Sequence, residues 1–521
     1  MVTVNTGASA TAMAEEIFGD TVTIVSADYT GSGFSSGIYT GADTSETGFA
    51  PSETGVILST GRASRVHNPT GDPNRIPNTS TNSAGPNNDS DFNAVAGAST
   101  FDASFLEVDF VPTEDTYSIQ FVYSSEEYPE FVGSQFNDIV AVWINGVAVD
   151  LAVGTGQSDI GNINPTSNSN LYLDNTGDTF NTEMDGFTVT LTLTLDVVPN
   201  MINSIKIGVA DVGDSNYDTN LLIASDSIQA GLLAVDDTAT IVTNGTPDLD
   251  VLANDISSSG ATLTVTQING IDVMIGDTVI LNSGQSVTLN GDGTLGVVNT
   301  SSGDDFNFTY TVSDGNGQDD VAFVQVDTIP CFVAGTRIRT PDGERPVEEL
   351  APGDLVETMD SGSQPLKWVG RRRVAADGEF APVRIAAGTF GPHGTLVVSP
   401  QHRILVRNHL SELFFGAEEV LIAAKDLVTG GRIAFDRTQP LVDYVHILFD
   451  DHQVVYSEGL ASESFLPGPQ TMSSFEKDVM EEICAIFPEF DKDTGEGYGP
   501  AARQALRSFE ARLLVKAGLA A

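Results

Sequence analysis

Residues 331–358 read CFVAGTRIRTPDGERPVEELAPGDLVET. Apolar and polar residues alternate through GTRIRT, PDG marks a turn, and a further short run closes at LVET, which is the pattern of compact β structure. Cys331 heads this stretch, directly behind Pro330, in a chain with two cysteines. A lone cysteine is commonly an inert buried hydrophobe. At the first residue of a domain, however, the thiol is placed to attack the carbonyl just before it, converting the Pro330–Cys331 amide into a thioester. That chemistry needs an adjacent base or acid rather than a distant triad.

Composition changes at this seam. Residues 1–330 hold 44 acidic side chains against four basic ones (Arg62, Arg65, Arg75 and Lys206), whereas the remainder holds 28 against 19. A net charge of −49 over 521 residues repels nucleic acid and anionic membranes, so both are excluded as partners. Converging carboxylates favour divalent cations; a solvated surface adapted to high salt explains the acidity with no ligand at all. The length accommodates roughly three or four domains. Cys331 and Cys484 fall in unlike segments and do not make a disulfide framework. The opening MVTVNTGASATAMAEEIFGD has no basic n-region and no apolar core, and no run reaches the roughly 18 apolar residues of a membrane span. The Gly/Asn/Asp/Thr-rich front half still reads as extracellular. These features predict a surface or secreted protein, exported without a signal peptide, with an unknown cell-surface or matrix ligand.

Residues 1–232 read as an all-β sandwich, with alternating runs such as YSIQFVY, DIVAVWING and GFTVTLTLTLDV between Gly/Asn/Asp/Pro clusters. A single helix is expected at Thr11–Phe18, a loop at about Ser64–Ser90, and Trp143 in the core. The string FVYSSEEYPEFVGSQFNDIVAVWING (Phe121–Gly146), with the opening ATAMAEEIFGDTVTIVSADYTG, resembles the choice-of-anchor L family of bacterial surface proteins. The resemblance implies an extracellular β-sandwich and no known reaction. Glu126, Glu127, Asn137 and Asp138 offer oxygens to Ca²⁺; capping and turn hydrogen bonds are the competing role. Residues 233–328 contain AVDDTATIVTNGTPDLDVLAND and FNFTYTVSDGNGQDDVAFVQV, which resemble a single cadherin-like or Ig-like module of bacterial adhesins. Asp236, Asp237, Asp248, Asp250 and Asp255 are candidate Ca²⁺ ligands there, with Asx-turn roles competing.

Three blocks in order carry the next resemblance: the Cys331 stretch, LVVSPQHRILVRN (Leu396–Asn408), and DYVHILFDDHQVVYSEGLASESF (Asp443–Phe465). Together they resemble a Hint (Hedgehog/intein) domain over residues 331–466, an all-β autoprocessing unit. The resemblance implies Cys331 as nucleophile, with Ser399 three residues before His402 and His446 near an assisting position. Residue chemistry agrees. The thiol must lose a proton to react, and the nitrogen of Cys331 must gain one to leave. His402 is the expected donor, because imidazole titrates near neutrality; Ser399 is expected to hydrogen-bond the scissile peptide or an oxyanion. Asp450 and His452 are weaker candidates, and His393 and His409 are expected to be inert. Splicing inteins close on a His-Asn pair, absent from GLASESFLPGPQTM, so N-terminal scission without splicing is expected. The thioester would be resolved by an external nucleophile: water, an amine or a thiol.

Residues 467–521 read as a helical tail over this domain, through SSFEKDVMEEICAIF and AARQALRSFEARLLVKAG, with Cys484 buried. The chemistry requires no cofactor; calcium is the one candidate. The predicted fold is therefore mostly β and multi-domain. The competing function is a non-catalytic adhesive or calcium-binding extracellular protein with an inactive Hint domain, and a cysteine protease acting in trans lacks a substrate-groove motif.

Overall fold

The computed structural model describes residues 2–19, 21–42, 48–67, 76, 78–132, 134, 136–149, 161–241, 248–298, 306–328, 331–375, 381–438, 441–466, 501–506, 511 and 514–515. Pro330, Cys484 and the first expected tail helix lie outside the described residues.

Period-two alternation builds the front sandwich. Tyr117, Ile119, Phe121 and Tyr123 on Thr116–Ser125 face Leu106, Val108 and Phe110 on Thr100–Pro112 across one apolar core. One sheet runs Thr3–Asn5, Ser36–Thr40, Thr54–Ser59, Thr219–Ala224, Thr116–Ser125, Gly186–Thr188 and Tyr172–Asp174, with Leu191–Asp196 also on Thr116–Ser125. The other runs Val22–Thr30, Thr100–Pro112, Asn203–Val212, Ile139–Ile144 and Val147–Ala148. The strand Thr116–Ser125 is buried on both faces, since Val122 joins a second apolar cluster with Leu222, Ile57, Tyr39 and Phe187 outside the sandwich.

The expected first helix forms at Ala10–Ile17, capped by Ser9 Oγ, which accepts from the Ala12 N–H at 3.1 Å. A second helix, Ser90–Ala96, was not expected. Asp89 caps it by accepting from the N–H groups of Asp91 and Phe92. Its Phe92 meets Trp143 at 4.9 Å, edge to face. Trp143 is thus buried, but between the five-stranded sheet and this helix rather than in the central core.

The second unit pairs Asp237–Ile241 in parallel with Asp319–Thr328, which forms a hairpin with Phe306–Ser313. Asp314 Oδ1 closes that hairpin by accepting from the N–H groups of Asn316 and Gln318, and Gly315 and Gly317 supply φ of 70° and 99°. Side-chain amides tie the unit to the front sandwich. Asn307 Nδ2 donates to Asn168 Oδ1 (2.6 Å), Asn269 Nδ2 to Asn170 O (2.7 Å) and Gln120 Nε2 to Asp320 Oδ1 (3.1 Å).

The third unit has two sheets around one core. The first runs Trp368–Ala375, Leu441–Leu448, Phe332–Val333, Leu396–Val398, Val383–Ile385 and Ile433–Phe435. The second centres on Arg337–Thr340, Val454–Ser457, Leu460–Glu463, Arg403–Arg407 and Glu419–Ala423. In the tail, residues 501–506 do not begin a helix as expected. The edge strand Glu419–Ala423 captures them: Leu421 donates to Gln504 O and accepts from the Leu506 N–H, both at 2.8 Å. Unpaired edge groups gain more from a neighbouring backbone than from water when both are buried. Leu506, Ala511 and Leu514 enter the core of this unit.

Candidate active site

Three strands bring the sequence-predicted residues to one place. Phe332 pairs with Val398 on one side and Val445 on the other, so the residues flanking it lie beside Ser399 and His446. Phe332 points into the core, and alternation turns Cys331 to the opposite face, against Val442 and Tyr444.

Ser399 holds the Cys331 backbone at both ends. Its Oγ accepts the Cys331 N–H at 2.8 Å, and its own N–H donates to Cys331 O at 2.9 Å. Cys331 Sγ lies 3.4 Å from His446 Nε2, and both residues are buried. The His446 ring stacks on Trp368 at 6.3 Å with planes 27° apart, and Phe465 meets it edge-on at 5.8 Å while also packing on Trp368 at 6.3 Å. Gly370, opposite His446 in register, makes the stack possible, because a Cβ there would stand 2.0 Å from the Trp368 ring. Trp368, Gly370 and Phe465 were not identified from sequence, since nothing local marks them as neighbours of a thiol.

His402 occupies the turn that carries the chain from one sheet to the other; its N–H closes on Ser399 O at 3.1 Å. The ring is buried against Phe332, at 4.3 Å between centroids, and neither ring nitrogen has a hydrogen-bond partner among the described residues. Burial lowers its pKa to about 4. Glu463 opposes that shift, while His446, Arg403 and His452 add to it. At neutral pH His402 is therefore a neutral imidazole. As an imidazolium it would be a strong acid, able to donate a proton carried in from elsewhere.

Behind His402 sits a charged network. Glu463, fully buried, accepts from the Arg403 N–H at 2.8 Å and from its guanidinium at 3.3 Å. Burial alone would raise this carboxyl, but Arg403 and then His452 hold it down to about 2. His452 Nδ1 accepts from the Ala502 N–H at 3.0 Å. The proton therefore sits on Nε2, which faces Ser464 O at 3.2 Å and Glu463 at 3.6 Å. The weaker candidates thus separate: His452 is structural, and Asp450 makes a surface ion pair with Lys367 at 2.8 Å. His393 accepts two backbone N–H groups in its own loop, and His409 starts the short helix His409–Phe415.

The acidic candidates divide as well. Glu126 stands with Asp218, whereas Glu127 accepts from the Asp138 N–H at 3.4 Å on the other side of the strand. Burial raises Glu127 and Asp138, and the Asp138 charge raises Glu127 further. Asp237 and Asp255 surround Tyr310 beside Asp236, while Asp250 is exposed elsewhere. Among the described residues no three His, Cys, Asp or Glu side chains converge on a metal position.

Residues 330–469 match the Hint domain. Residues 3–229 match the choice-of-anchor L domain and residues 229–327 a bacterial Ig domain. The protein is accordingly a multi-domain β protein with a Hint region, and its anchor-type and Ig-type regions point to a surface or extracellular location. The bacterial intein-like domain of Clostridium thermocellum is similar to 26% of the chain over 97% of its own length, at 15% identity and TM-score 0.18. The gp41-1 intein is similar over the same shares at 14% and 0.17. No curated protein matches. No helix among the described residues is long and apolar enough to cross a membrane.

A histidine held neutral at pKa about 4 stabilises the fold above its unfolded value near 6.5, and that stability is lost as pH falls from about 6.5 to 4. In chain labelled at histidine ring carbons, the resonance lost in His402→Gln should remain that of neutral imidazole down to about pH 5. Titration at 6 or above would show the ring is not desolvated.

Proposed function

We propose that the Hint region cleaves its own chain at Pro330–Cys331 by an N–S acyl shift, releasing or transferring residues 1–330 without splicing. The observation that carries this reading is the double contact of Cys331: Sγ on His446 Nε2 at 3.4 Å and N–H on Ser399 Oγ at 2.8 Å. His446 takes the thiol proton. The thiolate attacks the Pro330 carbonyl carbon, the C–S bond forms, and the C–N bond breaks as a proton reaches the Cys331 nitrogen. Ser399 holds that nitrogen, and His402 relays the proton. An external water, amine or thiol then resolves the thioester. In this reading the anchor-type and Ig-type units are exported cargo, reaching the cell surface or medium by a signal-peptide-independent route.

Expression of the full chain beside Cys331→Ala, with and without hydroxylamine or dithiothreitol, tests the reading. Fragments 1–330 and 331–521 are expected from the wild type, accelerated by either nucleophile, and absent in the variant. A wild type intact under every nucleophile would instead favour an adhesive protein with an inactive Hint domain.

A further inference from the structure

The front sandwich carries a second cluster that the cleavage reading does not use and that stands independently of it. Thr116–Ser125 and Thr219–Ala224 are antiparallel neighbours with Asn220 opposite Ser124. The ladder continues one step to Asp218, whose carbonyl accepts the Glu126 N–H at 3.2 Å. Period-two geometry puts Ser124, Glu126, Asp218 and Asn220 on one face as a two-by-two patch. All four are at most 3% exposed. Each presents an oxygen with no hydrogen-bond partner among the described residues: Ser124 Oγ, Glu126 Oε2, Asp218 Oδ2 and Asn220 Oδ1.

The two carboxylates are oriented rather than left over. Glu126 Oε1 accepts from the Thr79 N–H at 2.7 Å and Asp218 Oδ1 from the Thr81 N–H at 2.5 Å, leaving the second oxygen of each for something else. Gly61 makes the room, because a Cβ there would stand 2.0 Å from the Asp218 carboxyl carbon. Buried polar atoms without partners are rare in native proteins.

We propose that Ser124, Glu126, Asp218 and Asn220 form a Ca²⁺ site in the anchor-type unit. Ca²⁺ takes six to eight oxygens, neutral and charged together, whereas Mg²⁺ demands a tighter octahedron and keeps its waters. The site shares only Glu126 with the carboxylates that the sequence suggested.

The test is calorimetry and calcium titration of the full-length Cys331→Ala chain. CaCl₂ at 100 times its dissociation constant, against EDTA, should raise the melting of the front unit by about 5 °C. Glu126→Gln/Asp218→Asn should melt as the wild type does in EDTA and lose both the shift and one bound Ca²⁺. Should that pair fail to fold, Ser124→Ala should weaken Ca²⁺ binding several-fold with the EDTA melting point unchanged. A wild type indifferent to Ca²⁺, an equal shift in the substituted chains, or an equal response to Mg²⁺ would each overturn the assignment.

Discussion

His446→Ala in the full chain is expected to slow release of residues 1–330 by about 10²–10⁴-fold, the range for loss of a positioned proton-transfer group. A cysteine thiol near neutral pH is mostly protonated, so the nucleophile depends on a base within reach. His446 Nε2 lies 3.4 Å from the sulfur. The ring is fixed there by Trp368 and Phe465, and a base that does not have to be ordered during the reaction contributes most. The measurement is the single-turnover rate of fragment formation with saturating dithiothreitol, followed by mass spectrometry. A rate within threefold of the wild type would remove His446 from the mechanism and leave His402 as the only imidazole for both proton transfers.

Glu463→Ala should lower the stability of the Hint region by about 3 kcal/mol. Removing one partner from a buried ion pair typically costs about 3–5 kcal/mol. The lower end applies because the Arg403 side chain is 37% exposed and can turn to water. The Arg403 N–H, by contrast, loses its acceptor inside the protein. The pH dependence has a definite sign. A carboxyl held at about 2 rather than near 4.5 contributes stability above pH 4.5 that is lost as pH falls through 2, so the variant and wild type should converge in acid. Urea unfolding followed by Trp368 emission, in a Trp143→Phe, Cys331→Ala chain, reads the difference. A gap that stayed constant from pH 7 to pH 2.5 would assign the loss to packing rather than to charge.

Cys331, Ser399, His402 and His446 were named from the sequence through the Hint resemblance, which rests on short local patterns: a cysteine opening a β run, a serine three residues before a histidine, a histidine in a closing strand. The sequence reading assigned His402 to the leaving nitrogen and gave His446 an assisting position; in the fold the ring beside the sulfur is His446, and His402 is packed on Phe332 with neither ring nitrogen partnered among the described residues. Which of two imidazoles reaches a thiol depends on which strand pairs beside Phe332, a choice made by sheet formation. Glu463 was visible only as part of the closing SES string; its burial against Arg403 comes from the pairing of Ile404 with Ser462.

By itself the sequence determined a mostly β chain with an acidic front half, a seam at residue 331, the alternation that assigns each strand residue to a face, and the residue types for acyl transfer at one cysteine. Only the tertiary structure decided which strands lie side by side. That decision placed His446 beside the sulfur, folded Trp368 over Gly370, drew residues 501–506 onto an edge strand, and set Ser124 and Glu126 beside Asn220 and Asp218. The physical reason is that side-chain period is a property of one strand, whereas neighbourhood is a property of the hydrogen-bonded pair, and residues almost a hundred positions apart carry no local mark of their pairing.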